Sequence, residues 1–243
     1  MLRVLINEFR KLKRTDVVIY GIVYFIITSF MFLLGCFESN FALSDSLIAD
    51  YFSSIFSVYS IFFFSVFNII IIGKELDIGS FCNQIINGFS VTKYIYVKVL
   101  LVSIIALVLL TVEVIRLLFL SILFNLNLFN IFDLIGYLNF VKLFILLIYA
   151  GIGGILTISL FKKTFRTFIL LYFYIQSEII FNHPYFTTKI GTNFFRIFPV
   201  HITRTFYESS GIISLVYLIT ILIYGTIFLY ISNNRLKNQL NHC

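Results

Sequence analysis

Residues Leu143–Phe161 read LFILLIYAGIGGILTISLF, with no Asp, Glu, Lys or Arg among them. A hydrocarbon layer about 30 Å thick needs roughly 20 apolar residues in a helix. This stretch meets that length on its own. So do Val17–Phe37, Tyr51–Gly73 and Ser209–Asn234, which are equally free of charge. The chain therefore reads as an all-α integral membrane protein. The small residues Ala150–Gly154 (AGIGG) at the centre of the quoted stretch lack the Lys-Ser/Thr that follows a phosphate-binding loop. Inside an apolar helix, Ala150 and Gly154 form a small-xxx-small pair suited to close helix packing.

Composition agrees. Hydrophobic residues make up 60% of the chain and charged residues 12%, where a soluble domain carries about 25% charged. The excess is lipid-facing surface. There are 31 Phe and no Trp, so Tyr carries the interfacial anchoring. The net charge of +7 does not mark a nucleic-acid binder, because the basic residues flank apolar runs and form no folded basic face. The three cysteines, Cys36, Cys82 and Cys243, are odd in number and widely spaced, and read as buried or idle thiols. The basic N-terminus and its apolar run resemble a signal peptide. The run is too long for one, and no small-residue cleavage site follows, so it reads as a retained first span.

Six spans are expected, at about 17–37, 52–73, 97–124, 138–161, 165–182 and 211–232. The segments on one side of such a bundle (1–16, 74–98, 162–166 and 233–243) hold 13 Lys and Arg, and the alternate segments hold 3. Positive residues gather on the cytoplasmic side, so both termini are expected there. An odd number of spans would break the pattern. No segment between spans is long enough for a soluble module, so 1–243 reads as a single transmembrane domain.

Two amphipathic segments lie on the basic side. In residues 1–16, Leu2, Leu5, Ile6, Phe9 and Leu12 fall at helical spacing, with Glu8, Lys11, Lys13 and Arg14 on the remaining surface. That is an interface helix, and by itself it reads first as a plain membrane anchor. Between spans two and three, Ile78, Phe81, Cys82, Ile85 and Ile86 share one helical face, and Gly88 follows at the position of a helix terminator. The other face is acidic or neutral, unlike a helix selected for anionic lipid. It could simply lie on lipid, but that face favours docking into a cytosolic protein partner.

These segments carry a resemblance. Ile6–Arg14 (INEFRKLKR) looks like the E-x-x-K-L-K-R opening of bacterial ABC-2 type transporter permeases, closest among them to the lantibiotic and bacteriocin immunity permeases. Gly73–Leu101 (GKELDIGSFCNQIINGFSVTKYIYVKVLL) resembles that superfamily's E-x-x-x-G-T … G-x-S-R-x-x-Y-x-x-K, with Glu75, Gly79, Gly88, Ser90, Tyr94 and Lys98 in order. Ser80 stands where Thr is usual, and Thr92 or Lys93 where Arg is usual. The resemblance implies a subunit of a bacterial cytoplasmic membrane exporter that pairs as a homodimer or paralogous heterodimer. It implies docking on a cytosolic ATPase through the interface helix (Glu8, Lys11, Lys13, Arg14) and a coupling helix (Glu75, Ile78, Gly79, Phe81, Ile85, Ile86, Gly88). ATP and Mg would then belong to that partner, with no cofactor here. The chain itself has no G-x-x-x-x-G-K-[ST] loop. The implied cargo is amphipathic, such as an antimicrobial peptide.

Three ionisable residues interrupt the apolar pattern. Glu113 and Arg116 lie three apart on one helix face. A lone charge at the bilayer centre costs about 2.5–3.5 kcal/mol on insertion scales, and a paired neighbour offsets part of it. The pair is either structural or part of a translocation path. Glu178 has no basic neighbour within a turn, and sits near the outer interface or meets a partner from another span or subunit. The aromatic segment His183–Ser210, broken by Pro184 and Pro199, is too short in its apolar runs to span. It is expected to form re-entrant or interfacial outer helices, acting as gate or lid. His183 and His201 have no carboxylate company, so no metal site is expected. Two other classes compete with transport. A membrane scaffold or sensor would use the same docking helices without a path. A membrane-embedded enzyme would show clustered His, Asp or Ser, which this chain lacks.

Overall fold

The computed structural model describes residues 22–26, 29–30, 44–50, 57–77, 80–86, 88–161, 163–167, 169, 202, 206–207 and 209–240. Seven helices are defined there: α1 (Asp45–Asp50), α2 (Ser57–Asp77), α3 (Ser80–Ile86), α4 (Val91–Leu123), α5 (Leu128–Ile135), α6 (Tyr137–Phe161) and α7 (Gly211–Leu240). The architecture is all-α among the described residues.

Three helices, α4, α6 and α7, are long and apolar enough to cross a membrane. Six were expected, so the described residues show half that number. Two of the missing three, 17–37 and 165–182, fall mostly outside the described residues. Of the expected 52–73 span, residues from Ser57 onward are described and are helical, with Phe64–Gly73 as the described apolar stretch. The helix does not stop at Gly73. It runs through Lys74 and Glu75 to Asp77, because charged residues end an apolar run without ending a helix. At 33 residues α4 is about 50 Å long, well beyond the hydrocarbon core, and Thr92 and Lys93 at its start are exposed. α7 likewise continues past the expected end at 232 into a polar tail with Arg235 and Lys237.

Hydroxyls within these helices turn back onto their own backbone. Ser103 donates to the Val99 carbonyl at 2.9 Å, Thr111 to Leu107 at 2.9 Å, Thr220 to Val216 at 2.9 Å and Ser232 to Phe228 at 2.8 Å. In lipid a hydroxyl has no water to bond, so the i−4 carbonyl is its nearest acceptor. The helices differ in enclosure. Burial covers 61% of the apolar stretch of α6, 33% of α4 and 11% of α7.

The chain forms two compact units, one of Met1–Phe67 with Val97–Ala150 and the other of Asn68–Tyr96 with Gly151–Cys243. Within the first, Ser65 donates to the Ala150 carbonyl at 3.3 Å, so α2 approaches α6 where its small residues begin. Within the second, a Cβ on Gly73 would strike Thr164 and lie 3.2 Å from Ile158 Cδ1, so only glycine admits that approach.

The segment 125–137, expected as a plain outer loop, instead carries α5. Asn127 caps it, its side-chain oxygen accepting from the N–H groups of Phe129 (3.1 Å) and Asn130 (3.4 Å). Gly136, at φ 79, ends it. Ile131 and Ile135 are buried on its inner face, as are Ile48 and Ala49 of α1, which packs against it. Of the aromatic segment 183–210, the described residues are Ile202, Phe206 and Tyr207, which are buried, and Ser209 and Ser210, which are not. The expected interface helix at 1–16 lies outside the described residues. Cys82 is disulfide-bonded, with its partner cysteine outside the described residues, so it is not the idle thiol expected.

Candidate functional site

The amphipathic helix expected between spans two and three is present as α3, two turns long. Its end is built as the sequence suggests. Gly88 adopts φ +88, its N–H donates to the Ile85 carbonyl at 2.9 Å, and Phe89 N–H reaches back to the Gln84 carbonyl at 3.1 Å. This pair of bonds is a Schellman motif, which satisfies carbonyls that the last helical turn leaves open. Ser90 then starts α4, its hydroxyl accepting from Lys93 N–H at 3.3 Å. Helices α3 and α4 are thus joined by a short link capped on both sides.

The apolar face of α3 is not uniform. Phe81 is buried at 2% exposure, Ile85 is half-buried and Ile86 is 73% exposed. Phe81 meets Tyr94 of α4 edge to face, with ring centroids 5.0 Å apart and planes at 67°. The Tyr94 hydroxyl donates to Glu75 Oε2 at 2.9 Å. Glu75, Phe81 and Tyr94, from α2, α3 and α4, therefore converge at one point. Lys98, one turn further along α4, is buried as well. Ile78 and Gly79 lie outside the described residues, as do Glu8, Lys11, Lys13, Arg14 and Glu178.

The second cluster lies within α4. Arg116 Nη2 is 2.9 Å from Glu113 Oε2, and Glu113 is 1% exposed. Tyr24 donates its hydroxyl to Glu113 Oε1 at 3.0 Å. The expected i, i+3 pair is formed, and a tyrosine 89 positions earlier joins it.

A third cluster was not anticipated from the sequence. Asp45 of α1 accepts the Asn127 N–H at 3.2 Å on Oδ1 and the Asn130 side-chain amide at 3.3 Å on Oδ2. Its carboxylate lies at the N-terminus of α5, where negative charge is favoured. Asp45, Asn130 and Asp133 border an open cleft of about 600 Å³ with Ser44 and Ser46. The signal for α5 was present in Asn127 as a cap, Leu128, Ile131, Phe132 and Ile135 at i, i+3, i+4 and i+7, and Gly136 as a stop.

Among the described residues no group of three His, Cys, Asp or Glu side chains could hold a metal ion. The three clusters tie helices together by hydrogen bonds, ring packing and one ion pair. No family model, curated protein or solved structure matches this chain.

Proposed function

We propose that this chain is the permease subunit of an ATP-binding cassette exporter. The observation that carries the reading is α3. It is a short helix fixed between the ends of two long helices, with Ile86 and Asn83 exposed on its outer side. A helix that only filled space would bury its whole apolar face. This one buries Phe81, half-buries Ile85 and leaves Ile86 open, as a docking element needs.

In this reading the chain has six spans with both termini cytoplasmic, following the distribution of 13 Lys and Arg against 3. It sits in a bacterial cytoplasmic membrane and pairs with a second permease, a copy or a paralogue. Each permease seats α3 and its N-terminal segment on a cytosolic ATPase that holds ATP and Mg. Closure of the ATPases moves α3, and the spans alternate between inward and outward access. The cargo is amphipathic, an antimicrobial peptide being the case the resemblance favours. Glu113, Arg116 and Tyr24 belong to the transmembrane part of the cycle, Glu113 and Arg116 as an ion pair within the apolar stretch of α4.

The test is reconstitution of the full chain with a cytosolic ATP-binding cassette ATPase from the same cell. Vesicles are expected to move a fluorescein-labelled amphipathic peptide only with ATP, and the peptide to stimulate hydrolysis. An ATPase that neither binds the vesicles nor responds to them would sink the reading.

A further inference from the structure

We propose that Tyr94 is the positioning residue that makes α3 move as one body with α2 and α4, so that a push on α3 reaches the spans. The inference rests on the permease reading above and names the residue through which its coupling step runs.

A seven-residue helix has little rigidity of its own. It transmits displacement only as far as its anchors hold. At its C-terminal end α3 is tied to α4 by the Gly88 and Phe89 hydrogen bonds and the Ser90 cap. Near its N-terminal end Phe81 packs against Tyr94, beside the disulfide-bonded Cys82. Tyr94 is itself 1% exposed, so its ring has no room to swing aside. The same side chain reaches α2 through its hydroxyl on Glu75. Ring and hydroxyl serve different partners. The ring holds α3 to α4, and the hydroxyl holds that pair to α2. Loss of the hydroxyl alone leaves α3 docked and folded while removing the side-chain tie of Tyr94 to α2, so that only the short Asp77–Ser80 connection and other contacts remain.

That separation gives the test. Tyr94→Phe keeps the ring and removes only the donor. In vesicles holding the full chain and its ATPase, Y94F is expected to bind the ATPase within about twofold of the parent, since its docking side is unchanged. Peptide moved per ATP hydrolysed is expected to fall about fivefold or more, because a hydrogen bond to a charged group is lost. Glu75→Ala is expected to lower the same ratio. The penalties of the two single variants should be less than additive in the double, because both lose the Tyr94–Glu75 bond. A merely structural tyrosine would lower binding, hydrolysis and transport together and leave the ratio intact. An unchanged ratio in Y94F, or penalties of Y94F and E75A that add, would overturn the inference while the permease reading stands. A parent protein that moves no peptide with ATP would overturn both.

Discussion

The hydroxyl of Tyr24 and the carboxylate of Glu113, 89 positions apart in the chain, are joined by a 3.0 Å hydrogen bond, and Arg116 takes the other carboxylate oxygen at 2.9 Å. Removing one partner of a buried pair leaves a charge that neither water nor protein satisfies, at a cost of about 3–5 kcal/mol. Arg116→Ala is therefore expected to lower the unfolding midpoint in detergent far more than Tyr24→Phe, which loses one hydrogen bond worth about 1.5–3 kcal/mol. The double variant Glu113→Leu with Arg116→Leu is expected to recover most of the stability, since apolar residues replace the pair without a leftover charge. If it recovers stability and transport persists, the pair is structural. Recovered stability with transport abolished places the pair in the path of the cargo.

The Asp45 staple on α5 makes a separate expectation. Asn127→Ala removes the cap of α5 and is expected to cost about 1 kcal/mol. Asp45→Ala removes the acceptor for Asn127 N–H and the Asn130 amide, at a comparable cost. Both should speed hydrogen exchange at the amides of residues 127–131 and leave those of α4 unchanged. Equal exchange in parent and variants would show that α5 does not depend on α1 for its start.

What the sequence conveyed and what it hid follow from the range of the forces involved. Gly88 as the end of α3 was legible because capping is local: a helical apolar pattern stops and a residue free to adopt positive φ follows. The Glu113–Arg116 pair was legible because the helix brings i and i+3 together. The Tyr94–Glu75 bond spans 19 positions and two helices, and the Tyr24–Glu113 bond spans 89, so no local period encodes either. Helix α5 was legible and went unread, because the charge distribution treats 125–137 only as a connection. The far end of α2 was hidden for a different reason. The uncharged run stops at Gly73 and marks what lipid tolerates, whereas the helix follows backbone hydrogen bonding and continues through Lys74 and Glu75 to Asp77.

Two glycines separate conformational from steric need. Gly88 has open space around the position of a Cβ, so Gly88→Ala is penalised only by its φ of +88. A destabilisation of about 1 kcal/mol is expected, and no second-site change nearby should relieve it. Gly73 has an ordinary helical backbone, and Gly73→Ala collides with Thr164. Thr164→Ala removes the Oγ1 in the way and is expected to restore part of the stability lost in G73A. Calorimetry of the two single variants and the G73A/T164A double distinguishes the cases. A double variant no more stable than G73A would mean that Ile158 or the Thr164 backbone sets the limit.

Phe81 and Ile86 lie five residues apart on α3 and are expected to fail in different ways. Phe81 is enclosed against Tyr94, so Phe81→Ala opens a cavity and should cost about 3–5 kcal/mol where the site cannot collapse. Its signature is loss of exchange protection across residues 80–94, with ATPase binding lost as a consequence. Ile86 is open, so Ile86→Asp disturbs little packing and should leave that protection in place. If α3 is the docking element, I86D nevertheless weakens ATPase binding by about tenfold or more, because a charge replaces an apolar contact at the interface. Binding titrations paired with hydrogen exchange on the same preparations separate the two. Intact protection with unchanged binding in I86D would remove α3 from the docking surface and leave Phe81 with a role in folding alone.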